Sequence, residues 1–187
     1  PNLEVVIVEA GSIAEGAAGR NSGFMIDIPH ELTSEDYAGS GDDRTLIRLN
    51  RQAQDFAAQA VENYSIPSAY FDRAGKINGA VSAHADAQNE SLSRHLSSLG
   101  EPFERLDAQQ MSEITGSNYY RSGLFTPGTV MLQPAGYIRG LAQGLHREAI
   151  RIFANSPAIR FDRVGAGWAV KTRKGTVRTA KIILTTN

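Results

Sequence analysis

The sequence contains no cysteine among its 187 residues. Disulfide bonds, thiolate zinc sites, iron–sulfur clusters and a cysteine nucleophile are therefore excluded within this chain. Its histidines, His30, His84, His95 and His146, do not have the spacing with which one helix face holds a metal ion. We therefore assign no metal site. A chain without cysteine suits a reducing compartment, and we expect a cytoplasmic location.

The sequence also lacks an excess of charge of one sign and a long apolar run. It has 19 Lys plus Arg against 20 Asp plus Glu, a net charge of -1. This balance removes the general attraction to phosphate, so we predict no nucleic-acid partner. No apolar run approaches the roughly 20 residues that a membrane-spanning helix needs, so we predict no such segment. With 41% hydrophobic residues, the chain should form the packed core of one ordinary domain or two small ones.

Two common enzyme motifs are absent as well. The nucleophile elbow G-x-S-x-G and the phosphate loop G-x-x-x-x-G-K-[ST] do not occur, which removes support for a serine hydrolase or a P-loop enzyme. The first residues are Pro1-Asn2-Leu3, without an initiator Met, and the last residues are a short apolar run. Because both ends lie at strand-like segments, we expect this chain to be a fragment of a longer protein.

Short apolar runs near both ends predict buried strands. The run Val5–Val8 and the run 181–187 alternate little, which is typical of parallel strands covered on both faces. Parallel sheets usually bind ligands at the carboxyl ends of their strands. The first run ends at Glu9, which places a carboxylate at a strand tip. Ser12 and Glu15 match a helix capping box, and residues 16–23 form a small-residue loop that allows the backbone to approach a ligand.

Apolar residues at spacings of three and four predict helices in the middle of the chain. The longest covers residues 43–64. Its predicted apolar face consists of Leu46, Leu49, Ala53, Phe56, Ala57, Ala60, Val61 and Tyr64. Further helices are predicted over 84–99, over 108–115 and from Pro134 onward.

The remaining segments favour strands. The Asn78-Gly79 turn signal predicts a hairpin or paired strands within 69–82, and residues 103–106 and 122–132 are expected to be extended. Residues 159–179 carry a turn signal at Lys174-Gly175. They predict an antiparallel meander that leads into a final strand.

Five motifs occur in an order that resembles one family. They are Val5-Val6-Ile7-Val8-Glu9, Gly16-Ala17-Ala18-Gly19-Arg20-Asn21-Ser22-Gly23, Gln133-Pro134-Ala135, Ser156-Pro157-Ala158-Ile159 and Ile183-Leu184-Thr185-Thr186-Asn187. Over nearly its whole length the chain resembles the FAD-dependent oxidases of the D-amino-acid oxidase type, which include glycine oxidase and gamma-glutamylputrescine oxidase-like enzymes. The resemblance implies an α/β fold with an α+β insertion. Residues 1–64 and 121–187 would form a partial, discontinuous, Rossmann-like FAD-binding domain, and residues 65–120 part of an inserted substrate domain.

The resemblance implies FAD as the cofactor and assigns roles near the first strand. Glu9 would accept hydrogen bonds from the ribose hydroxyls of the adenosine half, although a solvated acid at a strand end has the same local pattern. Arg20, Asn21 and Ser22 would offer backbone N–H groups and a cation to the pyrophosphate or the flavin ring. The alternative for these three residues is an ordinary surface loop.

Three further residues are assigned by the same resemblance. Ala158 matches a position whose backbone contacts adenine, and Thr185 and Thr186 would end a strand near the pyrophosphate. Ordinary strand packing is the alternative for Ala158, and simple β propensity is the alternative for the two threonines.

The chain also departs from the family pattern, because no G-x-G-x-x-G phosphate loop occurs in it. The strongest pyrophosphate site of such proteins is therefore not in these residues. We also expect the groups that hold the substrate to lie outside this chain and assign no catalytic residue. The chain alone is expected to be inactive and to self-associate through exposed sheet edges.

The activity that the resemblance implies is oxidation of a C–N bond in a small amine or amino acid to an imine, with hydride transfer to the flavin. Two alternatives stay open from the sequence. One is a flavin dehydrogenase of a 2-hydroxy acid or glycerol phosphate. The other is a non-catalytic nucleotide-binding or interaction module.

Overall fold

A computed structural model describes residues 3–29, 43–146 and 150–186. Its helices are α1 (Asp43–Asn63), α2 (Ala83–Leu99), α3 (Ala108–Thr115) and α4 (Pro134–His146). Its strands are β1 (Val5–Val8), β2 (Phe24–Met25), β3 (Phe71–Asp72), β4 (Lys76–Ala80), β5 (Glu104–Leu106), β6 (Ser122–Thr126), β7 (Val130–Leu132), β8 (Ile150–Phe153), β9 (Arg160–Val164), β10 (Gly167–Thr172) and β11 (Gly175–Thr179). This mixture of helices and sheets confirms the predicted α/β class.

The chain packs into two compact units, and each is built from separated segments. The first unit comprises Pro1–Ser22, Ala60–Pro67 and Pro134–Asn187, and the second comprises Gly23–Gln59 and Ser68–Gln133. Residues 23–59 and 121–133 therefore pack with the middle of the chain, whereas the sequence placed them in the cofactor-binding part. The assignment of either part to cofactor or substrate stays a prediction.

In the first unit β1 and β8 form a parallel pair, with Val5 opposite Ile150 and Val8 opposite Phe153. The predicted parallel strand at Val5–Val8 is confirmed, but its partner β8 was not predicted, and β1 is not covered on both faces. Val5 and Ile7 are 41% and 40% exposed, whereas Val6 and Val8 on the other face are half-buried. Successive side chains of a strand point to opposite faces, so the described residues cover one face of β1 and leave the other open.

The predicted antiparallel meander within 159–179 is confirmed, but the predicted final strand after it is not. Strand β10 pairs antiparallel with β9 on one side and with β11 on the other, and Thr172 lies opposite Gly175 at the predicted turn. Residues 181–186 form no strand. Apolar, β-branched residues favour a strand only when a neighbouring strand pairs with them, and residues 181–186 have no such neighbour in the described part of the chain.

In the second unit two antiparallel sheets replace the predicted hairpin. Their strand orders are β2-β7-β3 and β4-β6-β5. Asn78 and Gly79 form no turn, because they lie inside β4 opposite Leu124 and Gly123 of β6. Sheet and helices enclose a core that consists of Ile28, Ile47, Leu92, Leu96 and Leu124.

Helix α1 has the predicted bounds to within one residue, but only the second half of its predicted apolar face is buried, where Ala57 and Ala60 are 5% and 6% exposed. Leu46, Leu49 and Phe56 are exposed, the last at 74%, whereas Gln54 is buried. The inward polar side chains are stabilised by hydrogen bonds to neighbouring loops. For example, Gln54 Nε2 donates to the carbonyl oxygens of Met25 at 2.7 Å and Gly128 at 2.9 Å. Polar side chains with satisfied hydrogen bonds can be buried in a core. A pattern of apolar residues in the sequence does not identify such positions.

Candidate functional site

The candidate site lies at the carboxyl end of β1, in the first unit. Glu9 continues the pairing beyond the strand, because its N–H donates to the carbonyl oxygen of Phe153 at 2.9 Å. The Glu9 side chain turns back over the chain, and its Oε1 accepts a hydrogen bond from the backbone N–H of Gly11 at 2.8 Å. The residue is exposed, and no described residue donates to its Oε2. One carboxylate oxygen is thus fixed in place while the other stays available to a ligand.

The segment after β8 lies beside Glu9. The N–H of Ser156 donates to the carbonyl oxygen of Glu9 at 2.8 Å, and the N–H of Asn155 donates to that of Gly11 at 2.9 Å. Asn155 adopts a φ of 49°, in the left-handed region that Asn tolerates better than most residues. These two bonds fasten the 155–158 segment to the Glu9 turn.

Ala158 follows two residues after this anchor. It is exposed, and neither its N–H nor its carbonyl oxygen has a hydrogen-bond partner among the described residues. The segment is fixed on its other side by the N–H of Ile159, which donates to the carbonyl oxygen of Lys171 at 2.8 Å. A backbone held at both sides with free polar groups between can pair with the edge of a planar heterocycle. The Ala158 segment is thus joined to Glu9 through the N–H of Ser156, two residues before Ala158.

Residues 11–19 form a turn, although Ser12 and Glu15 match the capping-box pattern of a helix start. Ser12 and Glu15 do bond reciprocally, because Glu15 Oε2 accepts from the N–H of Ser12 at 2.9 Å and the N–H of Glu15 donates to the Ser12 carbonyl oxygen at 3.2 Å. No helix follows them, because Ala14 takes a positive φ of 68°. The hydrogen bond from the Ser12 backbone is the main cause of the lowered pKa of Glu15, to which Arg20 and Arg139 contribute.

A 3-10 turn at Ala17–Gly19 leads into the predicted loop. Gly19 packs so closely on Ala14 that an added Cβ would overlap the Ala14 carbonyl oxygen. Asn21 folds back onto this turn, and its Nδ2 donates to the carbonyl oxygens of Ala17 at 3.2 Å and Ala18 at 2.8 Å. The Asn21 side chain therefore shapes the loop.

Arg20 and Ser22 lie on the outside of the same loop. Both are exposed, and no described residue forms an ion pair with the Arg20 guanidinium or a hydrogen bond with the Ser22 hydroxyl. The loop contacts α4, where Arg139 Nε donates to the carbonyl oxygen of Ile13 at 3.5 Å. An exposed cation near Glu15, on a loop fixed by Gly19 and Asn21, is an arrangement that suits an anionic ligand.

Thr185 and Thr186 are not brought to this site by any hydrogen bond of the described residues. Both are exposed and lie in irregular chain. Their assignment to the pyrophosphate depended on a strand end, and residues 181–186 do not form that strand.

The described residues of the first unit fit the adenosine half of FAD. Glu9 has a free carboxylate oxygen at a strand end, where two ribose hydroxyls can donate to it. Ala158 has the unpaired backbone groups that an adenine edge needs. The hydrogen bonds that position both residues come from backbone atoms, so the arrangement does not depend on flexible side chains.

The second unit contains a charged cluster around the buried Asp27 that the sequence did not predict, although the Arg51 side chain in it is 41% exposed. Asp27 is 1% exposed, and its Oδ2 accepts from Arg51 Nε at 3.0 Å and from Arg51 NH2 at 2.8 Å. Arg51 also pairs with Glu101 at 2.5 Å. Lys76 Nζ and Asp27 Oδ1 are buried without a partner, and burial lowers the pKa of Lys76 although Asp27 partly opposes the shift. These residues are far apart in sequence, so no local pattern could have identified them.

A second buried pair joins the start of α1 to α2. His95 Nε2 lies 2.8 Å from Asp43 Oδ2, and the two side chains are 17% and 3% exposed. The described part of the chain holds no group of three or more His, Asp or Glu residues that could bind a metal ion. None of its helices is both long and apolar enough to cross a membrane.

Comparison with known proteins gives one family match, to the DAO family described as FAD dependent oxidoreductase, over residues 2–187. A curated relative named probable oxidoreductase OrdL, from Haemophilus influenzae, is 26% identical over 188 residues, which is 98% of this chain and 43% of the relative. A protein of the same name from Rhizobium meliloti is 19% identical over 192 residues, 98% of this chain and 44% of that protein. The chain thus spans less than half the length of these relatives.

Solved structures share the fold. A glycine oxidase from Geobacillus kaustophilus superposes with a TM-score of 0.71 at 19% identity, over 94% of this chain and 46% of that one. A glycine oxidase from Bacillus cereus gives 0.75 at 16% identity, over 95% and 47%. The L-amino acid deaminase from Proteus myxofaciens, in complex with anthranilate, gives 0.69 at 17% identity, over 95% and 39%.

Proposed function

The chain belongs to the DAO family of FAD-dependent oxidoreductases, and on this premise we propose that the full-length protein oxidises a C–N bond of a small amine or amino acid to an imine. The names of the similar structures support this substrate class, since glycine oxidase and L-amino acid deaminase both refer to amino acids. Bound flavin would supply the chemistry by accepting a hydride from the substrate carbon.

The observation that carries the cofactor part of the proposal is the hydrogen bond that joins Glu9 to the Ala158 segment. The bond from the Ser156 N–H to the Glu9 carbonyl oxygen keeps a ribose-binding carboxylate beside a free backbone edge. Glu9 would hold the ribose hydroxyls, and its negative charge would disfavour a 2′-phosphate. The backbone of Ala158 would contact adenine.

We assign the 16–23 loop to the rest of the cofactor. Arg20 would neutralise charge on the pyrophosphate or flavin, Ser22 would add a hydroxyl, and Asn21 would keep the loop in shape. Thr185 and Thr186 would approach the pyrophosphate once a neighbouring strand pairs with residues 181–186. Residues 1–64 and 121–187 would then belong to the cofactor-binding domain, and residues 65–120 would form part of the inserted substrate domain.

The proposal also includes the partners and the cellular location of the protein. The substrate is a small amine or amino acid, nucleic acid is not a partner, and the protein works in the cytoplasm. Self-association through exposed sheet edges is a further part of the proposal, and gel filtration of the chain and of the full-length protein would test it.

Two measurements on the full-length protein test the function. Purification with a bound flavin spectrum, followed by FAD release on denaturation, separates a flavoenzyme from a non-catalytic module. Incubation with a panel of amino acids, amines, 2-hydroxy acids and glycerol phosphate then separates the reactions. We expect flavin reduction and ammonia or amine release with a C–N substrate, whereas reduction only by hydroxy acids or glycerol phosphate would contradict the proposal.

A further inference from the structure

Among the described residues of the second unit, four buried polar atoms lie close together and have no hydrogen-bond partner in the protein. They are Asp27 Oδ1, Lys76 Nζ, Thr126 Oγ1 and Thr129 Oγ1. Asp27, Thr126 and Thr129 are 1%, 2% and 0% exposed. A buried polar atom without a partner costs free energy, so nearly all such atoms in folded proteins bond to protein or to an ordered ligand. Four of them together therefore indicate a bound molecule between them.

The strand pairing places the two threonines beside Lys76. Thr126 of β6 lies directly opposite Lys76 of β4, so the two side chains share one face of the sheet, with Cβ atoms roughly 5 Å apart. The N–H of Gly75, the residue before Lys76, donates to the carbonyl oxygen of Thr129 at 2.9 Å. Both threonines are therefore fixed next to the start of the lysine side chain by backbone hydrogen bonds.

Asp27 closes the group from the other side. Its carboxylate packs on Gly128, the residue before Thr129, so closely that a Cβ added to this glycine would overlap it. Arg51 holds Asp27 Oδ2 with two hydrogen bonds, which leaves Oδ1 as the free acceptor. Asp27 raises the pKa of Lys76 against the lowering by burial, so the two groups are near enough to interact. They nevertheless form no direct hydrogen bond.

The chemistry of these four atoms indicates which ligand can join them. An ionised carboxylate oxygen only accepts hydrogen bonds, an ammonium group only donates them, and a hydroxyl does both. The Lys76 ammonium would repel a metal cation, and the Asp27 carboxylate would repel an anion. Water is neutral, donates two hydrogen bonds and accepts two, and buried water typically bonds to about three otherwise unpaired polar groups. Water is therefore the ligand that suits both charged partners at once.

We propose that a buried water molecule bridges Asp27 Oδ1, Lys76 Nζ and the hydroxyl groups of Thr126 and Thr129. It donates to Asp27 and to one threonine, and it accepts from Lys76 and from the other threonine. The water thereby connects β4 to the β6–β7 turn and to the segment after β2. One water satisfies only one of the three ammonium donors, so burial still lowers the pKa of Lys76. This site is independent of FAD and of the oxidation of a C–N bond.

Urea unfolding of the full-length protein and its Thr129→Val variant tests the site by the sign of the change. Valine has the shape of threonine but no hydroxyl. If the hydroxyl bonds to the water, the variant loses a buried hydrogen bond, and its unfolding equilibrium constant should rise about fivefold. If the hydroxyl has no partner, valine removes an unpaired polar group and the constant should fall. Thr176→Val is the control, because Thr176 is exposed, and it should change the constant less than about twofold.

A high-resolution crystal structure of the full-length protein tests the site directly and does not depend on any variant folding. It should show one water within about 3.2 Å of both Asp27 Oδ1 and Lys76 Nζ. Greater stability of Thr129→Val would overturn the proposal. A direct ion pair between Lys76 and Asp27 with no water between them, or a metal ion or chloride at this position, would overturn it as well.

Discussion

At the scale of single residues, Glu9 combines a fixed position with a free hydrogen-bonding atom. Its Oε1 is held by the Gly11 N–H, so the side chain loses little freedom when a ligand binds to Oε2. Preorganisation of this kind reduces the entropic cost of binding. The expected effects of substitution at Glu9 therefore differ from those at a mobile surface acid.

We expect Glu9→Ala to weaken FAD binding by the full-length protein about tenfold or more, because hydrogen bonds to a charged group contribute roughly 1.5 to 3 kcal/mol each. Titration of apoprotein with FAD measures the change. Glu4→Ala is the matched control, since Glu4 lies near the other end of the same strand, is 81% exposed and faces Arg151. An unchanged dissociation constant in folded Glu9→Ala would contradict the assignment.

Arg20 should act on the cofactor and not on the substrate, because its loop directly follows the turn that starts at Glu9. We expect Arg20→Ala to lower flavin occupancy and to reduce the rate with every substrate by the same factor. Flavin content per polypeptide and kcat/KM for several substrates are the measurements. Full occupancy combined with a raised KM for one substrate alone would place Arg20 in the substrate site.

The buried Lys76 is expected to make the stability of the folded protein depend on pH. Burial lowers the pKa of this lysine in the folded protein, so the unfolded chain binds more protons between the folded pKa and the ordinary lysine value of about 10.4. Stability should therefore rise with pH across that window. Below it, both states are protonated and the full cost of a buried charge applies.

Urea unfolding of the native protein and of Lys76→Met at several pH values measures this effect. The difference in unfolding free energy should move in favour of the native protein as the pH rises toward 10.4. Lys174→Met is the control, since Lys174 is exposed and stays in water in both states. A pH-independent difference for Lys76→Met would show that its ammonium is satisfied in the folded protein.

At the scale of elements, the turn before the 16–23 loop depends on a glycine. A Cβ at Gly19 would overlap the Ala14 carbonyl oxygen, and a backbone atom cannot move aside as a flexible side chain can. We expect Gly19→Ala to displace the loop and lower FAD affinity severalfold, whereas Gly16→Ala, which meets no atom within 4 Å, should have little effect. Titration with FAD compares the two variants, and equal affinities would contradict this role of Gly19.

Local signals predicted the elements better than their partners. The bounds of α3 were predicted correctly because a capping box between Asp107 and Gln110 starts the helix and Gly116 ends it in the left-handed conformation. The hairpin at Asn78-Gly79 was wrong because β4 pairs with β6, which lies some 45 residues later. A turn propensity of a few tenths of a kcal/mol cannot compete with a full ladder of backbone hydrogen bonds.

The difference between local sequence signals and tertiary packing also explains which functional residues could be predicted. Glu9 could be singled out because a carboxylate directly after an apolar run is visible in the sequence. The Asp27–Arg51–Glu101 cluster could not, since its members meet only through tertiary packing of α1. The first half of the predicted α1 face was also wrong for this reason, although Ala57 and Ala60 of its second half are buried. The buried Gln54 of α1 is polar. It can be buried only because carbonyl oxygens of distant loops accept its hydrogen bonds.

At the scale of the whole molecule, we expect the 187-residue chain alone to fold but to bind FAD poorly. The FAD pyrophosphate carries two negative charges, and no G-x-G-x-x-G loop in this sequence offers it a helix N-terminus. Glu9 and Ala158 reach only the adenosine half. The chain should purify colourless, and calorimetric titration should show weak binding; stoichiometric binding of FAD with micromolar or tighter affinity would contradict this expectation.

The parallel pairing of β1 with β8 has a consequence for how the protein is made. Val5 pairs with Ile150, so β1 leaves the ribosome about 145 residues before its partner strand exists. At typical rates of 5 to 20 residues per second, this delay lasts roughly 7 to 30 seconds. During that time the edge of the apolar strand that later pairs with β8 has unpaired backbone groups and is open to aggregation. Expression yield should therefore respond to chaperones that hold nascent chains, and Val5 and Ile7 are the positions where polar substitutions would reduce this dependence.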